Sequence, residues 1–482
     1  MRLDARVPAA AFSAGLRIIA LALTLLAAVV APAAAQRPAL APAARAYLAF
    51  DTPVVALTGV RVIDGTGAAP RERQTIVLRH GRIEAVGAGV PVPADAQVLD
   101  LSGHTVIPGL VSLHEHTWLG GIRTNAPMTH GPMLYLAGGV TTAMTAGTML
   151  PYHELSLKRA IDLGALAGPR LHITGPYLTG FGGPSSAMRV IASPEEARRV
   201  VNYWADEGAT WFKVMNGPTA VVRAVVAAAH ARGLRVTGHL CAVTFTEAAA
   251  LGVDALQHGF ITNSEYVPGK QPDLCPPENQ RAQADVDPAS PAVQESIRRI
   301  VAAGAAVVST LGVYESFVPE RARLDTAALA MLTPELRAEL ESNHAALTER
   351  GYIVPTRLLE RMMQWERAFV TAGGLLGAGS DPWGTGFLPG YGNLRNYELL
   401  IEAGFSAPDA VQILTLNGAR ILGEAERTGS IEAGKAADLV VIRGDPAARA
   451  ADIRNMVAVF RDGWAFDPVK LREGVRGKLG GM

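Results

Sequence analysis

The stretch VIPGLVSLHEH, residues 106–116, joins an apolar strand candidate to a pair of histidines. His114 and His116 are two residues apart, and side chains at positions i and i+2 of an extended strand point to the same side. Two imidazoles at the end of one strand can therefore share a metal ion. Such a pair also arises by chance, but active sites lie at the C-terminal ends of barrel strands. Glu115 would point the other way and is interpreted as a packing or supporting carboxylate.

Downstream of this stretch, short apolar segments alternate with alanine-rich helical segments up to about residue 422. One helix is predicted over residues 219–231 and is ended by Gly233. The strand candidates lie at residues 109–113, 140–143, 171–174, 211–215, 236–238, 255–257, 306–309 and 375–379. Eight strands alternating with helices predict an α/β fold, a (β/α)8 TIM-like barrel. A doubly wound sheet is the alternative, but no glycine-rich phosphate-binding pattern convincingly follows a strand.

Both ends of the chain show a different pattern, one of short strands separated by Gly, Pro and Asp residues. These strand candidates lie at residues 54–57, 60–63, 74–78, 82–86, 97–101, 438–442 and 456–461. We therefore expect a small β-sandwich domain built from both chain ends. Its two parts are predicted at residues 36–104 and 425–482, with the barrel at residues 105–424 between them.

The N-terminus has the three-part layout of a secretory signal. Arg2, Arg6 and Arg17 give a positive flank, residues 18–30 form an apolar run, and small residues end at Ala35. The run is too short to span a bilayer comfortably, although a retained membrane anchor is the alternative. We expect a signal peptide over residues 1–35, cut after Ala35, and a periplasmic or secreted protein without a membrane anchor.

The composition limits the kinds of partner and of metal site. Lys and Arg together number 44, as do Asp and Glu, so the formal net charge is zero and a dedicated nucleic-acid binder is not indicated. Cys241 and Cys275 are the 2 cysteines of the chain and could make one disulfide at most. A ligand role is conceivable for Cys241, which lies two residues after His239, but a packing thiol is favoured. These cysteines cannot form a thiolate metal cage. Any metal would have to be held by His, Asp, Glu or a modified Lys.

Lys213 lies between large apolar residues in TWFKVM, residues 210–215. Burial of an unpaired ammonium group is costly, so a lysine on such a strand needs a special reason. One interpretation is a lysine that faces the surface at a sheet edge. The other is carbamylation by CO2, which would turn the amine into an anionic carboxylate that bridges two cations.

Three further candidate ligands follow strand candidates. His239 ends RVTGH, His258 ends the next strand, and Asp381 follows the glycine-rich strand near residue 379. A single such residue has an ordinary alternative, which for Asp381 is a helix N-cap. Together with the first histidine pair and Lys213, however, they put a potential ligand at the end of five predicted strands, and coincidence becomes a poor explanation.

With these residues in place, the chain resembles the amidohydrolase superfamily of metal-dependent hydrolases. The resemblance covers nearly the whole chain after the signal segment and is most specific in residues 106–116 and in GSIEAGKAADLVV, residues 429–441. The chain looks most like the binuclear members with a carboxylated lysine on the fourth strand, including the prolidase-like Xaa-Pro dipeptidases and related exported amidases.

This resemblance implies a site with two divalent metal ions, for which zinc is the default. One ion would be held by His114, His116, Lys213 and Asp381, and the other by Lys213, His239 and His258. The ions would activate a bridging hydroxide, and Asp381 would act as general base. The implied reaction is hydrolysis of the C–N amide bond of a small molecule, namely a dipeptide, an N-acyl amino acid or a cyclic amide.

Other functions stay open on the sequence alone. One alternative is a mononuclear deaminase. The deaminases of this superfamily resemble one another in having a Glu three residues after the fifth-strand His. That position is Ala242 here, which disfavours deamination. A lactone or phosphotriester is a further possible target, because the same binuclear site serves it. A catalytically dead barrel with a structural role is the non-enzyme alternative, and a homo-oligomer is possible. Arg189 or Arg395 could bind a substrate carboxylate, although ordinary surface arginines are favoured.

Overall fold

The computed structural model describes residues 37, 39–119, 126–321, 324–350, 354–382 and 387–481. The predicted signal peptide and its cut after Ala35 lie outside these residues. The strands are β1 Leu48–Phe50, β2 Val54–Val62, β3 Arg71–Arg79, β4 Arg82–Gly87, β5 Gln97–Asp100, β6 His104–Pro108, β7 Leu110–Glu115, β8 Trp118–Leu119, β9 Ala126–Pro127, β10 Val140–Thr145, β11 Arg170–His172, β12 Leu178–Thr179, β13 Arg189–Val190, β14 Trp211–Met215, β15 Arg235–His239, β16 Ala255–Gln257, β17 Ala306–Ser309, β18 Leu376–Ala378, β19 Leu439–Arg443, β20 Met456–Arg461 and β21 Trp464–Phe466.

Helices follow most of the parallel strands. The α-helices are Pro42–Arg45, Gly131–Ala137, Pro151–Asp162, Pro194–Glu207, Thr219–His230, Phe245–Ala250, Asn279–Gln283, Pro291–Ala302, Leu311–Glu315, Thr326–Leu329, Pro334–Arg350, Thr356–Thr371, Tyr391–Glu402, Ala407–Leu414, Leu416–Leu422 and Pro468–Val475. Short 3-10 helices span Gly259–Thr262, Ser264–Tyr266 and Ala450–Arg454. Among the described residues, no helix combines the length and the apolar character needed to cross a bilayer.

The two chain ends meet in one sheet with the strand order β1-β21-β20-β19-β6-β2-β3-β4, in which β5 also pairs with β2. Strand β19 from the C-terminal part runs antiparallel to β6 from the N-terminal part, with Leu439 opposite Pro108. The two short strands predicted at residues 54–57 and 60–63 are one strand, β2. Its register with β3 shifts between Leu57 and Val60, where Gly59 has φ of +72°. A left-handed glycine is a common basis for such a bulge.

The parallel strands β7, β10, β11, β14, β15, β16, β17 and β18 coincide with the eight predicted strands to within two residues at each end. Two sheets, β11-β10-β7 and β13-β12-β14-β15-β16-β17-β18, contain them. Backbone hydrogen bonds join the sheets at both seams: Trp211 N donates to Ile173 O at 3.3 Å, and Asp381 N donates to His114 O at 2.8 Å. The prediction of a (β/α)8 barrel is confirmed.

The barrel interior is filled by apolar side chains from several strands. Val111 and Leu113 of β7 pack with Trp211 of β14 and Val308 of β17, and Ile421 of the helix Leu416–Leu422 joins the same buried cluster. A packed interior of this kind leaves the strand ends, rather than a central pore, as the place for chemistry.

Candidate metal centre

His114, His116 and Asp381 form a compact group of potential metal ligands. The Nε2 atom of His116 lies 3.1 Å from Oδ1 of Asp381, and the Nε2 atom of His114 lies 3.6 Å from the same oxygen. One ligand atom from each residue can be chosen so that all lie within 4.8 Å of one another. The histidines are at the end of β7 and Asp381 follows β18, so the seam between the first and last barrel strands brings them together.

Hydrogen bonds at the far ring nitrogens fix the orientation of both imidazoles. Nδ1 of His116 is 3.1 Å from Gly147 O, which can only accept, so this nitrogen carries the hydrogen. Nδ1 of His114 is 2.6 Å from Oε1 of Gln257, whose Nε2 donates to Thr237 at 2.7 Å. Both Nε2 atoms are thereby left with a free lone pair on the side of Asp381. Metal-binding histidines are typically held in this way.

The other three predicted ligands lie beside this group. His258 Nδ1 is 3.8 Å from Oδ2 of Asp381, and the His258 ring centroid is 4.6 Å from that of His114 and 4.5 Å from that of His239. Lys213 is on β14, next to β15, which ends at His239. The structure therefore gathers all six predicted ligands at one end of the barrel.

Lys213 is 1% exposed, and its Nζ has no hydrogen-bond partner in the described part of the chain. An unpartnered buried ammonium would be strongly disfavoured. Burial lowers the pKa of Lys213 to about 7, against which the charge of Asp381 acts to raise it. A substantial fraction of the amine is therefore uncharged near neutral pH, and the uncharged amine is the form that reacts with CO2.

The imidazoles of His114, His239 and His258 are also held in the form that binds metals. Burial, followed by the neighbouring charge of Lys213, lowers the pKa of His239 to about 3. The pKa of His114 lies well below its ordinary value for the same two reasons, and that of His258 is lowered well below it by burial first and by His239 next. Neutral imidazoles with a neighbouring carboxylate form a donor set that fits divalent cations such as zinc.

Glu115 faces away from this group and supports the strand ends. It accepts hydrogen bonds from Ser112 Oγ, from Ser380 N and Oγ at 3.1 and 2.5 Å, and from Asn393 Nδ2 at 2.7 Å. Ser112 and Glu115 are three residues apart, so a regular strand would put them on opposite faces. Ala143 of β10 pairs with Ser112 while Thr145 pairs with Glu115, which places an extra residue on β7. This bulge lets Ser112 and Glu115 lie on the same side of the strand, within hydrogen-bond distance.

Two of the candidate ligands sit on left-handed backbone. His258 has φ of +70° and Asp381 has φ of +48°. Such conformations cost on the order of 1–3 kcal/mol for residues other than glycine, and they cluster at functional sites. Gly379, two residues before Asp381, lies so close to β7 that an added Cβ would be 2.3 Å from His114 N. The absence of a side chain at this position therefore lets the two strand ends meet.

Aromatic side chains surround part of the group of candidate ligands, and a cavity adjoins the rest. The ring of Trp118 lies 5.1 Å and that of Tyr177 6.3 Å from His116, while Tyr314 lies 5.6 Å from His258. On the side of His239, a cavity of about 410 Å³ opens between the ends of the fourth, fifth and sixth barrel strands. The centre thus has aromatic rings on one side and a cavity on the other, an arrangement that suits a small-molecule site.

Two sequence interpretations of single residues are settled by their contacts. Cys241 is bonded to Cys275 across a separation of 34 residues, so the expectation of a packing thiol was wrong. Arg189 forms an ion pair with Glu196, and Arg395 bonds to Glu315 and Glu398 at 2.7 Å. Because both guanidinium groups are already paired, neither arginine is poised to bind a substrate carboxylate.

Gln257 is the contributor that the sequence reasoning missed. It is fully buried directly before His258 and supports His114, a residue 143 positions away. Its signal in the sequence is a polar amide within a short apolar strand, DALQH, residues 254–258. A buried amide needs hydrogen-bond partners, so this position could have been noted as one with a polar task.

Comparisons with known proteins point to one family. A family model described as "Amidohydrolase family" matches residues 377–466. A dihydroorotase of Anaeromyxobacter dehalogenans (strain 2CP-C) is 33% identical over 140 residues, which are 28% of this chain and 31% of that protein. The deacetylase Atu3266 of Agrobacterium fabrum (strain C58 / ATCC 33970) is 35% identical over 96 residues, 20% of this chain and 23% of that protein. The chain thus spans less than a third of the length of either relative.

Solved structures match over a far greater length. A Xaa-Pro dipeptidase with bound methionine has a TM-score of 0.64 at 22% identity and covers 86% of this chain and 100% of its own. A bottromycin amidohydrolase has a TM-score of 0.68 at 22% identity and covers 90% of this chain and 92% of its own. At these identities the likeness establishes the fold, a barrel with an added β-sandwich domain. The match to the amidohydrolase family model is confined to residues 377–466, so the sequence similarity covers the last barrel strand and part of the C-terminal β-domain.

Proposed function

We propose that this protein is a metal-dependent hydrolase that cleaves a C–N amide bond in a small molecule. The observation that carries the proposal is the convergence of four buried or half-buried histidines, Asp381 and an unpartnered buried lysine at the end of the barrel. A structural barrel would have no need for a buried lysine without a partner, since an apolar residue would be more stable there.

Two divalent metals, with zinc as the default, suit these residues. His114, His116, Lys213 and Asp381 would hold one, and Lys213, His239 and His258 would hold the other. Lys213 can serve both only as a carboxylated, anionic side chain. The unpartnered Nζ and the lowered pKa of this amine support that modification.

When bound, the metals would supply Lewis acidity, which lowers the pKa of a water molecule and polarises the substrate carbonyl. The chain itself supplies the proton transfer. The Asp381 carboxylate is set between the imidazoles by the backbone bond from its N–H to His114 O. It can take a proton from the attacking water and pass it to the leaving nitrogen, which makes Asp381 the general base and then the general acid.

An amide is favoured as the target by the names of similar proteins, which include a Xaa-Pro dipeptidase and a bottromycin amidohydrolase. Dipeptides, N-acyl amino acids and cyclic amides are the candidate substrates. A mononuclear deaminase is disfavoured because the position that would carry its Glu is Ala242. Lactones and phosphotriesters are the alternative substrates, because the same metal centre could hydrolyse them.

We also propose that the protein is exported after removal of residues 1–35. The Cys241–Cys275 disulfide supports this, because disulfides persist in oxidising compartments outside the cytosol. N-terminal sequencing of the protein recovered from the periplasm or the medium tests it. A chain that begins at Gln36 is expected, and a protein retained in the cytosol would contradict the proposal.

The function is tested by a hydrolysis screen on the metal-loaded protein that starts at Gln36. The panel contains Xaa-Pro and other dipeptides, N-acyl amino acids, cyclic amides, lactones and phosphotriesters, and the Asp381→Asn variant is the control. We expect hydrolysis of at least one amide class by the wild type and its loss in the variant. Cleavage of lactones or phosphotriesters alone, or a protein that binds no metal after zinc or manganese supplementation, would overturn the proposal.

A further inference from the structure

The loop that follows the sixth barrel strand forms one wall of the cavity beside His239. This loop, residues 268–278, is called the strap below. Cys275, Pro276, Pro277 and Glu278 of the strap line the cavity together with His239 of the metal centre. Anything that enters the centre through this cavity must therefore contact the strap.

The strap has little apolar burial to hold it in place. Residues 271–275 are all exposed, and the Leu274 side chain is 62% exposed. Its backbone hydrogen bonds are local ones, such as Lys270 N to Val267 O at 3.2 Å and Leu274 N to Gln271 O at 3.4 Å. A surface segment of this kind opens easily unless side chains fix it.

Side chains do tie the strap to the barrel, at the ends of neighbouring strands. Oδ1 of Asp273 accepts hydrogen bonds from Thr219 N and Oγ1, both at 2.6 Å, at the start of the helix after β14. Lys270 Nζ donates to Ala242 O at 2.8 Å, and Cys275 is bonded to Cys241, two residues after the end of β15. The strap therefore reaches back from the sixth strand across the fifth to the fourth.

The disulfide is the covalent member of these ties, and it meets the barrel close to a metal ligand. His239 itself is fixed independently, by its pairing with Met215 and by the hydrogen bond from Asn216 N to His239 O at 2.9 Å. Loss of the disulfide should therefore release the cavity wall and leave the ligand in position.

We propose that the Cys241–Cys275 disulfide is a positioning element for substrate binding, because it holds the strap as the outer wall of the cavity beside His239. This inference rests on the proposed hydrolase function only in that a substrate must reach the metal centre. Binding to a wall that must first be ordered costs free energy, so an untied strap weakens substrate binding without changing the chemical step.

The test compares the wild type with Cys275→Ser and with Asp273→Ala, which removes the acceptor of the two Thr219 hydrogen bonds without leaving a free thiol. Amide hydrogen exchange of residues 268–278, bound metal, kcat and KM are measured on whichever amide or ester the wild type cleaves. For Cys275→Ser we expect exchange and KM to rise about tenfold each, equivalent to roughly 1.4 kcal/mol, with kcat and metal content unchanged. Asp273→Ala should raise hydrogen exchange and KM as well. Gln271→Ala, whose exposed side chain donates to Gly269 O within the strap, should change neither quantity.

Faster exchange with an unchanged KM would overturn the inference, because the strap would then not be a substrate wall. Unchanged exchange would also overturn it, since the disulfide would then not hold the strap. A fall in kcat with loss of metal would assign the disulfide to the metal centre instead. A protein that cleaves only esters would refute the proposed amide function, and the KM comparison would still decide the role of the disulfide.

Discussion

Lys213 is the residue that most clearly separates a metal site from a packed barrel end. Its amine is buried without a hydrogen-bond partner among the described residues, and its strand neighbours Phe212 and Val214 are fully buried. Burial of an amine without a partner would lower the stability of the fold, with no compensating interaction, unless the amine reacts with CO2 and gains cations as partners. The bridging role of Lys213 is therefore the residue-scale core of the proposed chemistry.

Lys213→Ala should abolish activity through loss of metal. We expect bound metal to fall to one ion per chain or fewer, and kcat/KM to fall roughly a thousandfold or more, because metal polarisation contributes several kcal/mol. Metal analysis and steady-state kinetics check this. Lys158→Ala, which removes only a surface ion pair with Asp162, is the matched control and should leave both unchanged. Near-normal activity in Lys213→Ala would refute the bridging role.

Gln257→Leu should weaken metal binding while the fold persists. The variant removes the hydrogen bond that orients His114, and loss of such a supporting partner typically costs about 10–100-fold in metal affinity. Competition with a chromogenic chelator measures the affinity. Gln294→Leu, at a half-buried glutamine that bonds only to Pro288 O, provides the comparison. Equal affinities in the two variants would show that Gln257 has no orienting role.

At the scale of elements, the site depends on how closely β7 and β18 approach. Gly379 allows the strand ends to meet, and the hydrogen bond from Asp381 N to His114 O closes the seam. Such an approach depends on backbone packing between segments that are far apart in the sequence. It is therefore a feature of the fold rather than of either strand alone.

Gly379→Ala should destabilise the barrel at this seam. The new Cβ would lie 2.3 Å from His114 N and 2.7 Å from His114 Cα, and these atoms of the strand backbone cannot move cheaply. We expect a loss of about 1–3 kcal/mol in the free energy of unfolding, together with weaker metal binding. Denaturant unfolding measures the former. Gly89→Ala, where nothing lies within 4 Å of the added atom, should leave the free energy of unfolding and the metal binding unchanged. A stable, metal-binding Gly379→Ala protein would contradict the tight seam.

Glu366 gives the barrel wall a distinct pH dependence. It is fully buried on the helix Thr356–Thr371 and accepts a hydrogen bond from Ser309 Oγ at 3.0 Å, and burial raises its pKa from 4.5 to about 8. A raised carboxyl pKa means that the folded state keeps a proton which the unfolded state has lost. The stabilisation is therefore complete below pH 4.5 and is lost as the pH rises toward 8.

Glu366→Gln mimics the protonated side chain at every pH. Its stability relative to the wild type should therefore rise by about 1.4 kcal/mol per pH unit between roughly pH 4.5 and 8, and level off above that. Urea unfolding at pH 5, 6, 7 and 8 tests the slope. Glu360→Gln changes an exposed carboxylate of the same helix and should show no such trend. Parallel pH profiles for Glu366→Gln and the wild type would contradict a buried neutral Glu366.

At the scale of the whole molecule, the features that depend on local sequence could be predicted, whereas those that depend on contacts between distant segments could not. Each barrel strand is an apolar run bounded by breakers, so its position could be read locally, and β14 was placed over the same residues, 211–215. Once the strands were placed, the candidate ligands at their ends could be expected to lie close together, since strand ends converge in any barrel. The signal peptide and the domain boundaries at residues 104/105 and 424/425 stay predictions.

What could not be predicted depends on contacts between distant segments. Nothing local marks Gln257 as the partner of His114, and nothing pairs Cys241 with Cys275 until the sixth-strand loop folds back over the fifth strand. The bulge in β7 is set by its pairing with β10. The two-residue spacing of His114 and His116 therefore led to the expectation of a shared site, but a regular strand does not fully describe the irregular backbone of β7.

This barrel should need metal to cleave an amide. The most direct measurement strips the protein with a chelator, returns zinc in steps, and follows amine release from the amide substrate found in the screen. We predict no release without metal and a rate that rises until two equivalents per chain have been added. Undiminished amide cleavage by the stripped protein, or no amide cleavage at any zinc level, would contradict the claim.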